Sequence, residues 1–291
     1  MRETPDPSLA ERTTLRLGGT AIAEIVLETR HDLDILPERL RAWGGEALAL
    51  GAGSNILARD GRLPFVLVRL NRAHSPLTVA EEDDRARVRV GAGAPMSRLL
   101  RFCLKNGLSG LEGLVGIPGS VGGCIAMNAG SFGAQTAAHL ESIQIIADGC
   151  VKTVPAEKFD YGYRSFSIPG EKKNFIILEA IFVLTKSQRN GIDKRMFQYF
   201  FEKKSKQPLN AWSAGCVFKN PSALTPAGRL LEDAGFRGKG RGGMIFSPLH
   251  ANFLVNEGSG SATAALDMIE EARTAVLRQT GITLQTEVRI V

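Results

Sequence analysis

The chain carries only four cysteines in 291 residues, Cys103, Cys124, Cys150 and Cys216, and none of them forms a CxxC pair or a metal-ligand spacing. That excludes a disulfide framework and a zinc site, and suits free thiols in a reducing compartment. Long hydrophobic runs are missing too. The longest, 175–184, is interrupted by Glu179 and is too short to cross a bilayer, and the opening MRETPDPSLAER has no apolar signal core. No membrane partner is expected, and the cytoplasm is the expected location. Aromatic residues are scarce at 7%, and no long run of Lys and Arg interleaves with them, so the formal net charge of +6 does not read as a nucleic-acid surface. The basic residues are spread, with local clusters at 203–206 and 237–241, which fits an anionic small-molecule substrate equally well. Internal repeats and low-complexity tracts are also absent. What remains is a chain about two domains long, with an apolar fraction of 44% that is ample for real cores. A soluble enzyme is the expectation.

Against that background one segment stands out. Residues 116–130, GIPGSVGGCIAMNAG, set Gly116, Gly119, Gly122, Gly123 and Gly130 with Pro118 among small or apolar side chains. Glycine is favoured where φ is positive or where backbone lies against a ligand, so this density implies main chain wrapped around something flat or phosphorylated. A large cofactor is the natural candidate. The alternative, a glycine-rich surface loop, is ordinarily polar, whereas this segment carries Ile117, Val121, Ile125 and Met127. A second cluster, Gly51-Ala52-Gly53-Ser54-Asn55, follows the apolar strand 47–50. It begins like a GxGxxG fingerprint, but the third glycine is missing, and a Rossmann assignment is weak. Ser54 and Asn55 still offer donors to a pyrophosphate, and on this segment alone phosphate binding stands at even odds.

Strands and helices alternate loosely along the chain. Segments 23–27, 47–50 and 65–70 read as strands, with a helix over 32–43 between the first two. Residues 85–90 alternate basic and apolar side chains as a half-exposed strand does. Pro95 starts a helix whose apolar stripe, Met96, Leu99, Leu100, Cys103 and Leu104, ends at Gly107. Strands follow at 143–146 and 175–184. The polar segment 186–191 is the best boundary, since it has no apolar periodicity and leads into an amphipathic helix near 192–201. Beyond it, Thr225 caps a helix with Pro226 in its first turn and Gly235 at its stop, and Ser261 opens another that closes at Gly281. Ala265, Leu266, Ile269, Ala272, Val276 and Leu277 give that last helix one buried face, and a final alternating strand covers 283–291.

Six strings occur in order: TTLRLGGTA from Thr13, GAGSNIL from Gly51, GIPGSVGGCIAMNAGSFG from Gly116, YRSF from Tyr163, AGCVFKNP from Ala214 and HANFLVN from His250. Together they make the chain resemble the UDP-N-acetylenolpyruvoylglucosamine reductase family, from about Thr13 to the C-terminus. The resemblance implies an α/β (α+β) fold. An FAD-binding region of the vanillyl-alcohol-oxidase (PCMH) type spans 13–185, in two subdomains split near 71–85, and a C-terminal α/β substrate domain spans 186–291. It implies FAD as cofactor, NADPH as hydride donor and reduction of a UDP-sugar enolpyruvyl ether in peptidoglycan precursor synthesis. In such an enzyme both glycine segments embrace FAD, making Gly51, Gly53, Ser54, Asn55, Gly119, Ser120, Gly122, Gly123 and Asn128 the cofactor candidates. The short connection after YGYRSF is similar to the subclass without an extra tyrosine-bearing substrate loop.

The resemblance also assigns chemistry. Hydride addition to a vinyl ether leaves an enolate delocalised into the neighbouring carboxylate, and Arg164 of YRSF matches the family's arginine that holds it by charge-assisted hydrogen bonds. Outside the motif Arg164 would read as a structural arginine at a strand end. Glu287 in QTEVRIV matches the family's glutamate, which helps stabilise the intermediate and orient the proton donor; alone it would read as solvated. The departure is Cys216, which stands where the family usually has a serine acid. A thiol releases its proton near pH 8.5, far more readily than a hydroxyl, so it is a credible donor. A small buried cysteine with no such role is the plain alternative. Asn220 matches a substrate-binding asparagine, and Lys219 beside it reads either as attracting the diphosphate or as part of a solvated strand face. His250 and Asn252 read as fixing backbone rather than touching chemistry. Arg237, Lys239 and Arg241 read either as an anion-binding loop or as a mobile solvated one. Another FAD-dependent oxidase on this scaffold would keep the glycine segments without needing Arg164, FKNP and Glu287 together. A flavin-binding protein impaired in catalysis would be marked only by Cys216.

Overall fold

The computed structural model describes residues 1–71, 75–171 and 175–291. Packing divides the chain into two compact units, one of residues 1–5, 23–52 and 65–202, the other of residues 6–22, 53–64 and 203–291. The boundary expected at 186 follows the polar, aperiodic segment 186–191. Packing follows another line, because Leu15, Leu17 and Leu57 of the early segments are buried in the core of the second unit. The split expected near 71–85 includes residues 72–74, which lie outside the described residues.

In the first unit the strand Arg2–Pro5 pairs antiparallel with Thr20–Leu27, placing Arg2 opposite Val26. Glu46–Ala49 runs parallel to Arg62–Leu70, with Leu48 opposite Leu67. The helix His31–Trp43 connects Thr20–Leu27 to Glu46–Ala49. It starts where the buried Asp32 carboxylate accepts the Glu28 and Thr29 amides at 2.7 and 3.1 Å, and stops at Gly44, whose φ of 70° an L-residue rarely adopts.

A second, antiparallel sheet runs in the order Cys150–Pro155, Leu140–Ala147, Ile176–Lys186, Arg85–Gly91, Leu77–Glu81, and Leu108–Ser109 also pairs with Ile176–Lys186. Val88, Val90, Ile143, Ile145 and Phe182 fill one core with Met96, Leu99, Leu100 and Cys103 of the helix Met96–Lys105. The stripe expected on that helix is therefore its buried face. Within the glycine segment the chain forms a short helix, Val121–Ala126, that the sequence does not announce. Glycine disfavours helix by about 1 kcal/mol per residue, but Val121, Cys124 and Ile125 are buried at helical spacing, and that burial outweighs the local penalty.

The second unit has an antiparallel sheet ordered Trp212–Cys216, Phe253–Asn256, Met244–Phe246, Gly240–Arg241. The helix Ala262–Thr280 buries Ala265, Met268, Ile269, Ala272 and Val276 in a core with Phe218, Phe236 and Phe246, whereas Leu277, expected on that face, is exposed and Leu266 is only partly buried. Ser261 caps it as expected, its hydroxyl accepting the Ala264 amide at 3.1 Å, and Gly281 ends it in the left-handed region. Asp60 adds a second cap the sequence did not reveal, accepting the Ala262 and Thr263 amides at 3.2 and 2.9 Å. Burial alone would raise the Asp60 carboxyl, but these bonds hold it below its ordinary value.

Two local expectations are corrected. The helix Ala227–Asp233 is preceded by Pro226 at ψ 130°, so Pro226 and not Thr225 is the capping residue. Proline offers no side-chain acceptor, and the Ala227 amide is instead accepted by Asn220 Oδ1 at 3.0 Å. The final strand is shorter than 283–291. Only Arg289–Ile290 pairs as strand, parallel to Ile56–Leu57. Leu284 and Val288 are buried on one face, as alternation requires, but Thr286 makes only an isolated bridge to Phe218 and the Glu287 and Val288 amides both point to the Val217 carbonyl, which interrupts the ladder.

The helix Arg189–Lys206 is longer than the 192–201 expected, and within the first unit its half-exposed Arg195 pairs with the buried Glu112. Arg195 donates to Glu112 at 2.6 Å and to Ser109 at 3.1 Å, while the Gly110 amide also donates to Glu112 at 2.7 Å. Burial pushes the Glu112 carboxyl up, but Arg195, Gly110 and Ser109 overcome that and hold it below its ordinary value. Burial, helped by the Glu112 charge, pushes the neighbouring Cys103 thiol up to about 12, so it stays protonated and inert.

Arg195→Ala is expected to cost about 2–3 kcal/mol at pH 7, the worth of hydrogen bonds to a buried charge. Because the folded-state Glu112 is depressed, that stabilisation is fully present above the ordinary carboxylate value of 4.5 and is lost as pH falls below it. Urea unfolding of both proteins at pH 7 and pH 4 checks it. A gap that does not narrow in acid assigns the loss to packing of the arginine stem instead.

Candidate active site

The candidate residues fall into two sets, each gathered within its own packing unit. In the first unit the glycine segment and the turn after Glu46–Ala49 come together: a Cβ at Gly51 would collide with the Ser120 hydroxyl. That hydroxyl also caps the helix Val121–Ala126 by accepting the Gly123 amide at 3.2 Å. Gly119 needs its missing side chain for its φ of 153°, and Gly122 for close approach, since a Cβ there would stand 2.8 Å from Ala92 Cβ. The Val121, Gly122 and Cys124 amides already donate to Ala94, Ala92 and Ser120 at 2.9, 2.8 and 2.9 Å. At Gly51 and Gly122 glycine is thus required by close packing within the protein, and the amides at the start of the short helix are spent there too.

Asn128, expected among the cofactor contacts, is 2% exposed and engaged within the protein. Its Nδ2 donates to Gln135 Oε1 at 2.9 Å and to the Gly162 carbonyl at 2.8 Å, and its Oδ1 accepts the Ala137 amide at 3.0 Å. It also sits at φ 39°, which asparagine tolerates better than most residues. Its role is to tie the glycine segment to the hairpin made by Asp160–Gly162 and Ser165–Ser167.

Arg164 lies in the turn of that hairpin, at φ 54°. An arginine held in the left-handed region is strained, and such strain persists where the surroundings fix it. Here its Nη1 donates to the Gly130 carbonyl at 2.9 Å, its guanidinium lies 5.5 Å from the Tyr163 ring, and the Asn128 bond to Gly162 holds the strand beside it. The half-buried Arg164 is thereby fixed against the glycine segment. Phe132, at φ 50°, stacks on Tyr199 with ring centroids 4.4 Å apart. The sequence carries no signal for these two contacts, because both join residues distant in the chain.

In the second unit Cys216 ends the strand Trp212–Cys216, just after Gly215 at φ 78°, where the pairing with Phe253–Asn256 shifts register. The bulge spans Ala214 and Gly215, and pairing resumes at the half-buried Cys216, opposite Phe253. Next along, the Val217 amide donates to the Asn252 carbonyl at 2.8 Å, and the Val217 carbonyl accepts the Glu287 amide at 2.7 Å. Cys216 and Glu287 therefore sit on segments stitched together one residue from the thiol. Asn252, 1% exposed, grips Phe218 at both ends, with Oδ1 accepting its amide at 2.9 Å and Nδ2 donating to its carbonyl at 2.8 Å.

His250 serves the same scaffold, its Nδ1 accepting the Asn252 amide at 3.2 Å. Burial pushes the His250 imidazole below its ordinary value, consistent with a neutral ring that accepts at Nδ1. Both residues fix backbone, as expected from sequence.

Asn55, another expected cofactor contact, donates from Nδ2 to the Glu287 carbonyl at 3.1 Å. Gly53, at φ 65°, packs where a Cβ would lie 2.7 Å from Thr13 Cα, with Ser54 half-buried beside it. Lys219 is half-buried with its amide on the Gln285 carbonyl at 2.9 Å, and Asn220 is exposed and caps the helix Ala227–Asp233. The basic stretch 237–241 is neither bare nor loose. Arg237 bonds Glu232 and the Pro248 carbonyl, both at 2.7 Å, Lys239 bonds Glu271 at 2.7 Å, and Arg241 stands 3.4 Å from Glu271. Among the described residues no group of three or more His, Cys, Asp or Glu is placed to hold a metal, and no helix is long and apolar enough to cross a membrane.

Residues 28–153 match the family model described as an FAD binding domain, and residues 207–291 match that of the UDP-N-acetylenolpyruvoylglucosamine reductase C-terminal domain. The chain is 48% identical over 285 residues to the UDP-N-acetylenolpyruvoylglucosamine reductase of Nitratidesulfovibrio vulgaris, covering 98% of this chain and 96% of that one. It is 33% identical to the enzyme of the same name from Caulobacter vibrioides, covering 98% and 93%. The crystal structure of the Thermus caldophilus reductase superposes with a TM-score of 0.81 at 30% identity, over 99% of this chain and 98% of that one.

Asn128→Ala is expected to destabilise the protein by about 2–3 kcal/mol, because it leaves the buried Ala137 amide and Gly162 carbonyl without their partner. Urea titration gives the value. A loss under about 0.5 kcal/mol, the size of an ordinary surface change, would show that the hairpin is held without it.

Proposed function

The chain belongs to the UDP-N-acetylenolpyruvoylglucosamine reductase family, and on that premise we propose that Arg164, Cys216 and Glu287 are its catalytic residues. It is an FAD-containing oxidoreductase that uses NADPH to reduce UDP-N-acetylglucosamine enolpyruvate to UDP-N-acetylmuramate in peptidoglycan precursor synthesis. The fold has the expected class, an FAD-binding region of the vanillyl-alcohol-oxidase type followed by a C-terminal α/β domain. The protein's own residues fit the cofactor: Gly51 and Gly122 pack where an added Cβ would collide with Ser120 and Ala92, so main chain lies close there with little side chain between, as a site for a flat group requires. Gly51, Gly53, Ser54, Gly119, Ser120, Gly122 and Gly123 would hold FAD, chiefly through backbone, with Asn55 and Asn128 shaping the segments around it. Held by these residues, FAD would supply hydride-transfer chemistry between NADPH and the enolpyruvyl double bond.

The protein's work is then to manage the charge and the proton. Hydride arrival leaves a carbanion on the other carbon, delocalised as an enolate into the adjacent carboxylate. The Arg164 guanidinium, fixed before substrate arrives, stabilises that charge without reorganising. Cys216 gives its Sγ proton to the carbanion carbon, becoming a thiolate that recovers its proton from solvent. Glu287 holds the donor in orientation. Lys219 is placed to draw in the diphosphate, while Asn220 contributes by shaping the FKNP turn. The observation that carries this assignment is the 2.7 Å bond between the Glu287 amide and the Val217 carbonyl, which holds the glutamate's segment beside the thiol's. The same reading puts the enzyme in the cytoplasm, where NADPH and nucleotide sugars are made, acting as a monomer on a small molecule without nucleic-acid or membrane partners.

Cys216→Ala is expected to leave flavin reduction by NADPH within about threefold of the parent. It should slow reoxidation by substrate by at least about a hundredfold, the usual worth of a general acid. Anaerobic stopped-flow absorbance of bound flavin measures both, and equal effects on the two half-reactions would remove Cys216 from the proton-transfer step. The parent should also lose reoxidation rate as pH rises through thiol ionisation, whereas Cys216→Ser should keep reduced activity and lose that limb, since a hydroxyl does not ionise there. An unchanged limb in the serine variant assigns the titration to another group.

A further inference from the structure

We infer that Asn252 and Asn55 are positioning residues that set the proton donor Cys216 and Glu287 against each other, Asn252 from the side of the thiol and Asn55 from the side of the carboxylate. The inference rests on the catalytic reading above and concerns residues to which the reaction itself gives no role. Its basis is an unbroken run of hydrogen bonds through four chain segments. The Asn252 carbonyl accepts the Val217 amide at 2.8 Å, the Val217 carbonyl accepts the Glu287 amide at 2.7 Å, the Glu287 carbonyl accepts Asn55 Nδ2 at 3.1 Å, and the Asn55 carbonyl accepts the Arg289 amide at 2.9 Å. Cys216 is covalently next to the second link and Glu287 is the third.

The two asparagines do this in a way that backbone pairing cannot. The ladder between Trp212–Cys216 and Phe253–Asn256 is interrupted by a bulge between Ser213 and Cys216, resumes only at Cys216 opposite Phe253 and ends there, so regular strand pairing does not fix the segment that follows. The buried Asn252 side chain replaces it, meeting both the amide and the carbonyl of Phe218 as a neighbouring strand would. On the far side, the Glu287 and Val288 amides crowd onto one carbonyl, so the chain bends there and Glu287 leaves the strand register. Asn55 holds that bend by gripping Glu287 with its side chain and Arg289 with its backbone. A carboxamide suits both places because it presents a donor and an acceptor without charge. Asn55 thus acts on the site through Glu287 rather than as a side chain turned to the cofactor.

The test is a mutant cycle read on the two half-reactions. Asn55→Ala, Asn252→Asp and Glu287→Gln are made singly, and Asn55→Ala is also combined with Glu287→Gln. Bound FAD, flavin reduction by NADPH, flavin reoxidation by substrate and thermal stability are measured for each. Expected are full flavin content and reduction within about threefold for the single asparagine variants, with reoxidation slowed at least tenfold. In the double variant, Asn55→Ala should slow reoxidation no further than Glu287→Gln alone, because it acts through that residue. Multiplying losses in the double variant, loss of flavin from Asn55→Ala, or equal slowing of both half-reactions would each overturn the positioning role. Should Asn252→Asp fail to fold, the Asn55 arm alone decides the matter. Should Glu287→Gln leave reoxidation unchanged, the catalytic reading falls and the positioning role falls with it. That result is told apart from the others because it appears in a variant with both asparagines intact.

Discussion

The hydrogen bond from the Glu287 amide to the Val217 carbonyl, at 2.7 Å, is where the C-terminal end of the chain is joined to the strand that carries Cys216. Neither segment is held there by a regular sheet. The strand Trp212–Cys216 loses its register at the bulge before Cys216, and the C-terminal segment pairs as strand only at Arg289–Ile290. Irregular backbone of this kind must satisfy its polar groups some other way, and in a buried setting it does so completely or at a cost of kilocalories. Asn252 on one side and Asn55 on the other supply what the missing ladders would have supplied. The irregularity is what lets a thiol and a carboxylate from distant parts of the sequence lie on adjoining segments, and the asparagines are what make the irregularity stable.

The first unit solves a different problem by the same means. A segment made of glycine backbone can approach a flat ligand closely, yet glycine gives up conformational freedom and packs nothing of its own. Burial of Val121, Cys124 and Ile125 supplies the packing, and the Ser120 cap fixes the helix start. Asn128 then ties the end of the segment to the hairpin that bears Arg164. Strain is concentrated in the same place, with Asn128, Phe132 and Arg164 all at positive φ. Such conformations are tolerated where surrounding bonds over-determine them, and here each has a partner: Gly162, Tyr199 and Gly130. The guanidinium is held by this frame before any substrate is present, which is what electrostatic stabilisation of a developing anion requires.

Most of the framework was legible from residues alone. The apolar stripe of Met96–Lys105 and the capped helix Ala262–Thr280 follow from spacing and capping residues, because local periodicity reports which face is buried. The glycine-rich segment was legible as close-packed backbone, and the family and its chemistry were legible from motif order. The places where expectation and structure part are those where a long-range contact overrides a local signal. The helix inside 116–130 forms against glycine's propensity because its other residues are buried, and the tail 283–291 alternates like a strand but bends at Glu287. Pro226 begins the helix Ala227–Asp233 in place of Thr225 because a distant side chain, Asn220, takes over the cap.

The asparagines show where the limit lies. By itself the sequence determined the fold class, the family, the cofactor and the identity of Cys216 as the residue that departs from the usual serine, since these are carried by residue type and order. Only the tertiary structure decided that Asn55 and Asn128, which stand in glycine motifs and look like ligand contacts, spend their amides on Glu287, Gly162 and Gln135. It also decided that Arg237, Lys239 and Arg241 are engaged with Glu232 and Glu271. The physical reason is that an amide or a guanidinium is defined by what it can donate and accept, and sequence fixes that capacity. Which group actually meets it depends on segments brought together by burial of apolar surface far away in the chain.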